Sequence, residues 1–329
     1  MEPFKAFRIY NDDNKVAGRL ASMTLDELSP GDVVFRTAYS SVNYKDALAG
    51  TGRGGKIIRT YPLTGGIDAA GTVVSSSDPR CRAGDEIICT SYDMGVAHNG
   101  GYGEYCRVPA DWVVPLPQRL TLYEAMALGT AGYTAGLAVE LLELNGLAPQ
   151  NGKVVVNGAT GGVATLAIDM LAAKGYEVTA LTGKEQEEPF LTKIGARDVL
   201  ARRAVDLGKR PLEKPLWAAA FDSVGGEQLA WLTRTMQPHG LIASFGNAGG
   251  IELHTTVLPF ILRGVRLIGV DSAYTPMVLR RRIWSRLASD LKPRHLESIA
   301  HTIRLDDLPA QFERLLGGEA RGRAVVDLQ

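Results

Sequence analysis

The stretch Val154-Val155-Val156-Asn157-Gly158-Ala159-Thr160-Gly161-Gly162-Val163-Ala164 decides the fold. It reads as a buried β-strand, a glycine turn and the start of a helix. About twenty residues further on, a second apolar run ends in Leu181-Thr182-Gly183-Lys184. A chain holds a dinucleotide in this order. The strand aims the turn, and the glycines let the backbone approach a pyrophosphate. The helix N-terminus offers it free N–H groups and a positive dipole end.

Outward from this stretch, strand and helix patterns alternate from about residue 124 onward. Glu124 to Leu144 carries apolar residues at helical spacing, interrupted by Gly129-Thr130-Ala131-Gly132-Tyr133. Ala164–Lys174 reads as a helix, Glu177–Leu181 as a strand, Phe190–Ile194 as a helix and Asp198-Val199-Leu200 as a short strand. Trp217–Phe221 and Leu241–Phe245 are strands that exit into Asp222-Ser223-Val224-Gly225-Gly226 and Gly246-Asn247-Ala248-Gly249-Gly250. Val265–Val270 is a further strand. Such alternation predicts an α/β fold, a doubly wound parallel sheet with ligands beyond the carboxyl ends of its strands. Gly158–Gly162, Thr182–Lys184, Ser223–Gly226 and Gly246–Gly250 then share one cofactor crevice.

Residues 1–123 read differently. Short apolar runs such as Gly31–Thr37, Gly65–Val74 and Gly84–Cys89 lie between Gly, Pro and Asp turns and predict a compact β-barrel-like domain. After about 272 come a basic helix, Val278–Leu291, and an apolar strand, Ala324–Leu328, which returns to the first domain.

The chain has 329 residues, enough for about two domains. It holds 36 Lys and Arg against 36 Asp and Glu, which argues against a broad nucleic-acid surface. The N-terminus lacks the apolar core of a signal peptide, and no apolar run is read as long enough to span a membrane. Three cysteines, Cys81, Cys89 and Cys106, fit a reducing cytoplasm better than a disulfide framework.

The second strand selects the cofactor. An NAD site ends that strand with Asp or Glu on the ribose 2′-hydroxyl. Here Thr182-Gly183-Lys184 offers a hydroxyl and an ammonium, which suit a 2′-phosphate, so NADPH is expected. Glu185, one residue beyond, argues the other way. Arg202 is either a second phosphate partner or a solvated surface arginine.

With these motifs in place, the chain resembles the medium-chain dehydrogenase/reductase superfamily. It is most similar to the zinc-independent quinone oxidoreductase branch and its acryloyl-CoA reductase group. The resemblance rests on Ser41-Val42-Asn43-Tyr44-Lys45-Asp46-Ala47-Leu48, Pro62–Gly71, Gly129–Ala135, the Gly158-x-x-Gly161-x-x-Ala164 fingerprint, Thr182–Glu185 and Pro259–Ser272, in family order. It implies a GroES-like β-barrel catalytic domain from 1–123 and 272–329 around a Rossmann NADP-binding domain, 124–271. It also implies a homodimer joined near Val265–Val270. The cofactor ligands carried over are Tyr44, Thr134, Gly158, Thr160, Gly161, Gly162, Val163, Thr182, Gly183, Lys184, Arg202, Ser223, Asn247, Ile261 and Ser272.

Where zinc alcohol dehydrogenases of this superfamily carry catalytic ligands, this chain has Asn43 and Ile67. Isoleucine cannot ligate, and an amide is a poor zinc ligand. The cysteines are too widely spaced for a structural zinc lobe, so no metal is expected. Without a Lewis acid, reduction of a polarised C=C bond is favoured over alcohol oxidation.

Such a reductase needs donors for a developing oxyanion and a proton source. The candidates are Tyr44, Asn43 and Asp68. Tyr44 is a proton donor, a cofactor ligand or a packing aromatic. Asn43 orients substrate or cofactor. Asp46 caps a helix starting at Tyr44, and Asp68 holds a network with Lys45 or Arg59. For the CoA phosphates, Arg53, Lys56 and Arg59 form one cation group and Arg280, Arg281, Arg282 and Arg286 another, the latter also readable as a solvated helix face. The expected reaction is NADPH-dependent reduction of an α,β-unsaturated acyl-CoA, acryloyl-CoA above all. The alternatives are a quinone or enone reductase and a non-catalytic NADPH-binding protein.

Overall fold

Six parallel strands carry the glycine turn. Their order is Asp198–Ala201, Val178–Thr182, Val154–Asn157, Trp217–Asp222, Met236–Ser244 and Arg266–Gly269. Every neighbouring pair is parallel. This is the 3-2-1-4-5-6 order of a Rossmann sheet, whose direction reverses between the first and fourth strands. Those two strands are Val154–Asn157 and Trp217–Asp222, buried along their whole length. Burial on both faces is why they read as unbroken apolar runs rather than alternating ones. Val155, Leu181, Ala220 and Ile242 pack with Trp217 and Trp231 in the core of this sheet.

The structure, a computed structural model, describes residues 2–329. It divides into two units: Met1–Ala131 with Ala273–Ala288 and Ala300–Gln329, and Gly132–Ser272 with Ser289–Ile299. The boundary falls inside the helical stretch Leu122–Leu144, just past Gly129, where φ 50° and ψ −154° break the helix. Ser289–Ile299 groups with the Rossmann unit because buried Asp169 accepts the His295 N–H at 2.7 Å and Lys174 reaches Asp290 at 3.1 Å.

In the first unit the strand Val33–Ser41 is the hub. It pairs antiparallel with Asp68–Ser76, with Tyr105–Val108 and with the C-terminal Arg323–Asp327. The last strand therefore does return to the first part of the chain. A separate hairpin, Phe4–Asp12 with Lys15–Met23, turns through Asp13 and Asn14, both at positive φ. That is the primed two-residue turn that Asp and Asn favour.

One expectation needs correcting. Leu122–Leu144 does have the length and apolarity of a membrane span. Its apolar window is 89% buried and it is kinked at Gly129, so it serves as core helix.

Candidate active site

The Rossmann unit builds its cradle at the carboxyl ends of its two central strands. Gly158 has φ 56°, and a Cβ there would lie 2.4 Å from Ser223 Oγ, so only glycine fits. The Ser223 hydroxyl donates to Asn157 O at 3.0 Å, and its N–H donates to Asn157 Oδ1 at 2.8 Å. Asn157 Nδ2 in turn donates to Asp222 Oδ1 at 2.6 Å, and Asp222 also accepts from Gly225 N and Ser244 Oγ. Asn157 and Asp222 are fully buried and brace three strand ends together. Sequence reasoning passed over both. Their signal was a lone polar residue closing each apolar strand.

The helix Gly162–Ala173 starts after Gly161, which supplies no side-chain cap. Its first-turn N–H groups are therefore left to an incoming anion. A dinucleotide pyrophosphate fits this arrangement. Thr160 is buried beside the turn, and Val163 is half-buried in the first turn. Thr134 Oγ1 donates to Ser272 Oγ at 2.8 Å, so two predicted cofactor ligands from distant segments meet. Asn247 is exposed on its glycine-rich exit, and Ile261 is 68% exposed. A cavity of about 460 Å³ lies elsewhere in this unit, between Trp217, Trp231 and the 204–216 segment, and includes none of the cradle residues.

At the end of the second strand, Thr182 Oγ1 accepts the Lys184 N–H at 3.0 Å. Arg202 lies over Gly183, its guanidinium carbon 3.3 Å from where a Cβ would stand. Glu185 is held by Arg203, Nε to Oε1 at 2.6 Å and Nη2 to Oε2 at 2.7 Å.

The first unit holds a buried polar network. Asp68 accepts Ser41 Oγ at 2.7 Å, Asn43 Nδ2 at 2.8 Å, Thr130 N at 2.9 Å and Thr130 Oγ1 at 2.5 Å. Thr130 Oγ1 also meets Ser91 Oγ at 2.9 Å. Arg323 stands 3.9 Å from Asp68 and donates to Val42 O, Asn43 Oδ1, Ser41 Oγ and Ala127 O. Arg323 and Asp68 are both buried. Asp68 therefore works with Ser41, Asn43, Thr130 and Arg323, not with Lys45 or Arg59 as the sequence suggested. The one local signal of Arg323 in the sequence is a lone charge opening an apolar C-terminal strand.

Asn43 caps the helix Tyr44–Thr51, and Asp46 closes the cap by accepting Asn43 N at 2.9 Å. Asp46 also accepts Asn43 Nδ2 at 3.1 Å and Ile67 N at 2.9 Å. Burial, then the nearby Asp68 charge, push Asp46 up to about 7 against the pull of these N–H groups. Both hydrogens of the Asn43 amide are committed to the two carboxylates, so Asn43 acts through what it holds in place. Tyr44, the next residue, is 43% exposed.

The cation groups fare unequally. Arg53 is paired with Glu313 at 2.8 Å, and Arg59 approaches Asp93 at 3.7 Å. Arg280 is no solvated face residue. It is fully buried, donates to Thr90 and Ala273 and stacks 4.4 Å from the Tyr92 ring. Lys56, Arg281 and Arg282 stay exposed.

Two family models match the chain. The alcohol dehydrogenase GroES-like domain covers residues 29–118, and the zinc-binding dehydrogenase domain covers 162–288. The chain is 47% identical to the putative quinone oxidoreductase YhfP of Bacillus subtilis, over 99% of both chains. It is 44% identical to the acrylyl-CoA reductase AcuI of Ruegeria pomeroyi, again over 99% of both. The chain belongs to the medium-chain dehydrogenase/reductase superfamily. A solved member, the yhdH oxidoreductase of Salmonella enterica in complex with NADP, superposes with a TM-score of 0.96 at 44% identity, over 99% of this chain and 100% of that one. The Bacillus subtilis yhfP structure, solved with NAD bound, also gives 0.96, at 46% identity over the same shares. The zinc in the second model's description does not fit this member of the superfamily. Asn43 and Ile67 are poor or impossible ligands, and among the described residues no three His, Cys, Asp or Glu gather.

Proposed function

We propose that the protein is an NADPH-dependent reductase of the C=C bond of an α,β-unsaturated acyl-CoA, acryloyl-CoA being the preferred substrate. The observation that carries this reading is the donor set at residues 41–68. Asn43, at one position where related alcohol dehydrogenases carry a metal ligand, is instead fixed on buried Asp68, and Ile67, at the other, cannot ligate. Support for the substrate comes from the full-length similarity to acrylyl-CoA reductase. Support for NADPH comes from Thr182, Lys184 and Arg202 at the end of the second strand, where Glu185 is held by Arg203.

NADPH, when bound, supplies hydride to the β-carbon. The protein's own groups hold the pieces. Gly158, Gly161 and the helix N-terminus at Gly162 take the pyrophosphate, and Lys184 and Arg202 take the 2′-phosphate. Ser223, Thr134, Ser272, Asn247 and Ile261 line the rest of the cofactor path. Asp68 fixes Asn43 and Thr130, and Tyr44 delivers the proton to the α-carbon as the enolate collapses. The phenol is the exposed acid of this set; Asp68 is a positioning residue.

The exposed apolar residues Val257 and Leu262 precede the edge strand Arg266–Gly269, which carries exposed Leu267 and is paired on one side only. An open edge with this covering favours a homodimer in which two such strands pair. Three free buried cysteines suit a reducing, cytoplasmic setting.

A quinone reductase is the second reading, favoured by the similarity to YhfP. Loss of NADPH absorbance with acryloyl-CoA, crotonyl-CoA, a simple quinone and no substrate separates them. Rapid loss with acryloyl-CoA is expected. Rapid loss with the quinone alone would replace this reading by the second.

A further inference from the structure

The 2′-phosphate end of the proposed cofactor site contains an apparent contradiction. Its cations, Lys184 and Arg202, sit beside Glu185, a carboxylate on the residue following Lys184. An acid there is the usual device for rejecting a 2′-phosphate, because two anions repel at close range. The register of the sheet resolves it. Thr182 is paired alongside Ala201, so residues 183–185 and 202–203 leave the sheet side by side. The short turn Arg202–Ala204 then presents two successive arginines to the neighbouring exit. They do different things. Arg202 lies flat over Gly183, three guanidinium atoms within 3.4 Å of where a Cβ would stand. Arg203 turns to Glu185 and grips both of its oxygens, at 2.6 and 2.7 Å.

We infer that Arg203 is a specificity-determining residue that acts by sequestering Glu185, so that the carboxylate does not oppose the 2′-phosphate. The inference rests on the NADPH reading above and adds a residue to it. The side-on, two-point grip fixes the carboxylate's direction as well as cancelling its charge. With Arg203 in place, Lys184, Glu185, Arg202 and Arg203 carry two net positive charges; without it, one remains and the acid is free to swing. Arg203 and Glu185 are exposed by 82% and 41%, so the pair does little for folding and its effect falls on the ligand.

The test is a titration of the full-length protein with NADPH and, separately, with NADH, following nicotinamide fluorescence to obtain Kd. The variants are Arg203→Gln, Glu185→Gln and the pair together. Arg203→Gln should weaken NADPH binding roughly three- to tenfold, an effect that shrinks in high salt, and leave NADH unchanged. Glu185→Gln alone should change little. The double variant should return to within about twofold of wild type, because the acid that needed restraint is gone. If the double variant binds NADPH as poorly as Arg203→Gln, Arg203 contacts the phosphate itself and sequestration is wrong. If Arg203→Gln binds NADPH like wild type, Arg203 has no part in specificity. Equal wild-type affinity for NADPH and NADH would instead overturn the NADPH reading underneath.

Discussion

The Asp68 carboxylate takes both the hydroxyl of Thr130, at 2.5 Å, and its backbone N–H, at 2.9 Å. The second bond exists because the helix breaks at Gly129, one residue earlier, and releases an N–H that a regular helix would spend on itself. Kink and carboxylate therefore form one device, and Arg323 closes it from the C-terminal strand.

Removing the carboxylate should leave Arg323 buried without a counter-charge. Asp68→Asn is expected to cost about 3 kcal/mol of stability, read from the urea midpoint, because breaking a buried pair strands the other charge. Asp68→Asn with Arg323→Met should recover part of that loss. A double variant no more stable than Asp68→Asn would mean the two groups do not act as a pair.

Gly129→Ala should fail for a different reason. Its Cβ would stand 2.5 Å from Asp68 Oδ2 and 2.6 Å from Ser41 Oγ, at a φ that side chains avoid. Strain plus a disrupted network predicts a loss of about 2 kcal/mol or more, again from the urea midpoint, with turnover falling as well. A silent substitution would show that the network tolerates displacement.

Asp46 makes stability depend on pH. Burial and the neighbouring Asp68 raise it to about 7, well above the ordinary aspartate value of about 3.8. Between those values the folded chain holds a proton that the unfolded chain has released, so stability falls as pH rises from about 4 to about 7 and is level above. Melting temperature should rise on going from pH 8 to pH 6 through this group. Asp46→Asn should flatten that slope. An unchanged slope in the variant would assign it to other groups.

How much of this was legible in the chain varies with the range of the interaction. Gly158 was readable because a positive φ demands glycine locally, and the parallel sheet followed from alternation, though not the order of its strands. The Tyr44 helix and its Asp46 cap were readable for the same local reason. The partners of Asp68 were not: Ser41 and Arg323 are 282 positions apart and meet only when the last strand joins the Val33 strand. The burial of Arg280 was hidden too, since Tyr92 and Thr90 lie far from it in sequence. The glycine interruption of the apolar helix was visible in the chain, but not that the domain border falls just past the kink at Gly129.

The edge strand offers a test of assembly. Leu267→Asp places a charge on the exposed edge and should shift the protein toward monomer in sedimentation velocity, with little change in fold. Wild-type protein that is already monomeric at micromolar concentration would remove the proposed dimer.

Lys184→Glu should weaken NADPH binding far more than NADH binding, since a carboxylate repels only the cofactor carrying the extra phosphate. Equal losses for both would separate Lys184 from the 2′-phosphate.

Metal-free reduction of an unsaturated acyl-CoA is the reaction proposed for this protein. Its most direct test mixes chelator-treated enzyme with NADPH and acryloyl-CoA and quantifies the CoA products by mass. One propionyl-CoA is expected per NADPH consumed, at a rate unaffected by the chelator. No propionyl-CoA, or a rate restored only by added zinc, would contradict it.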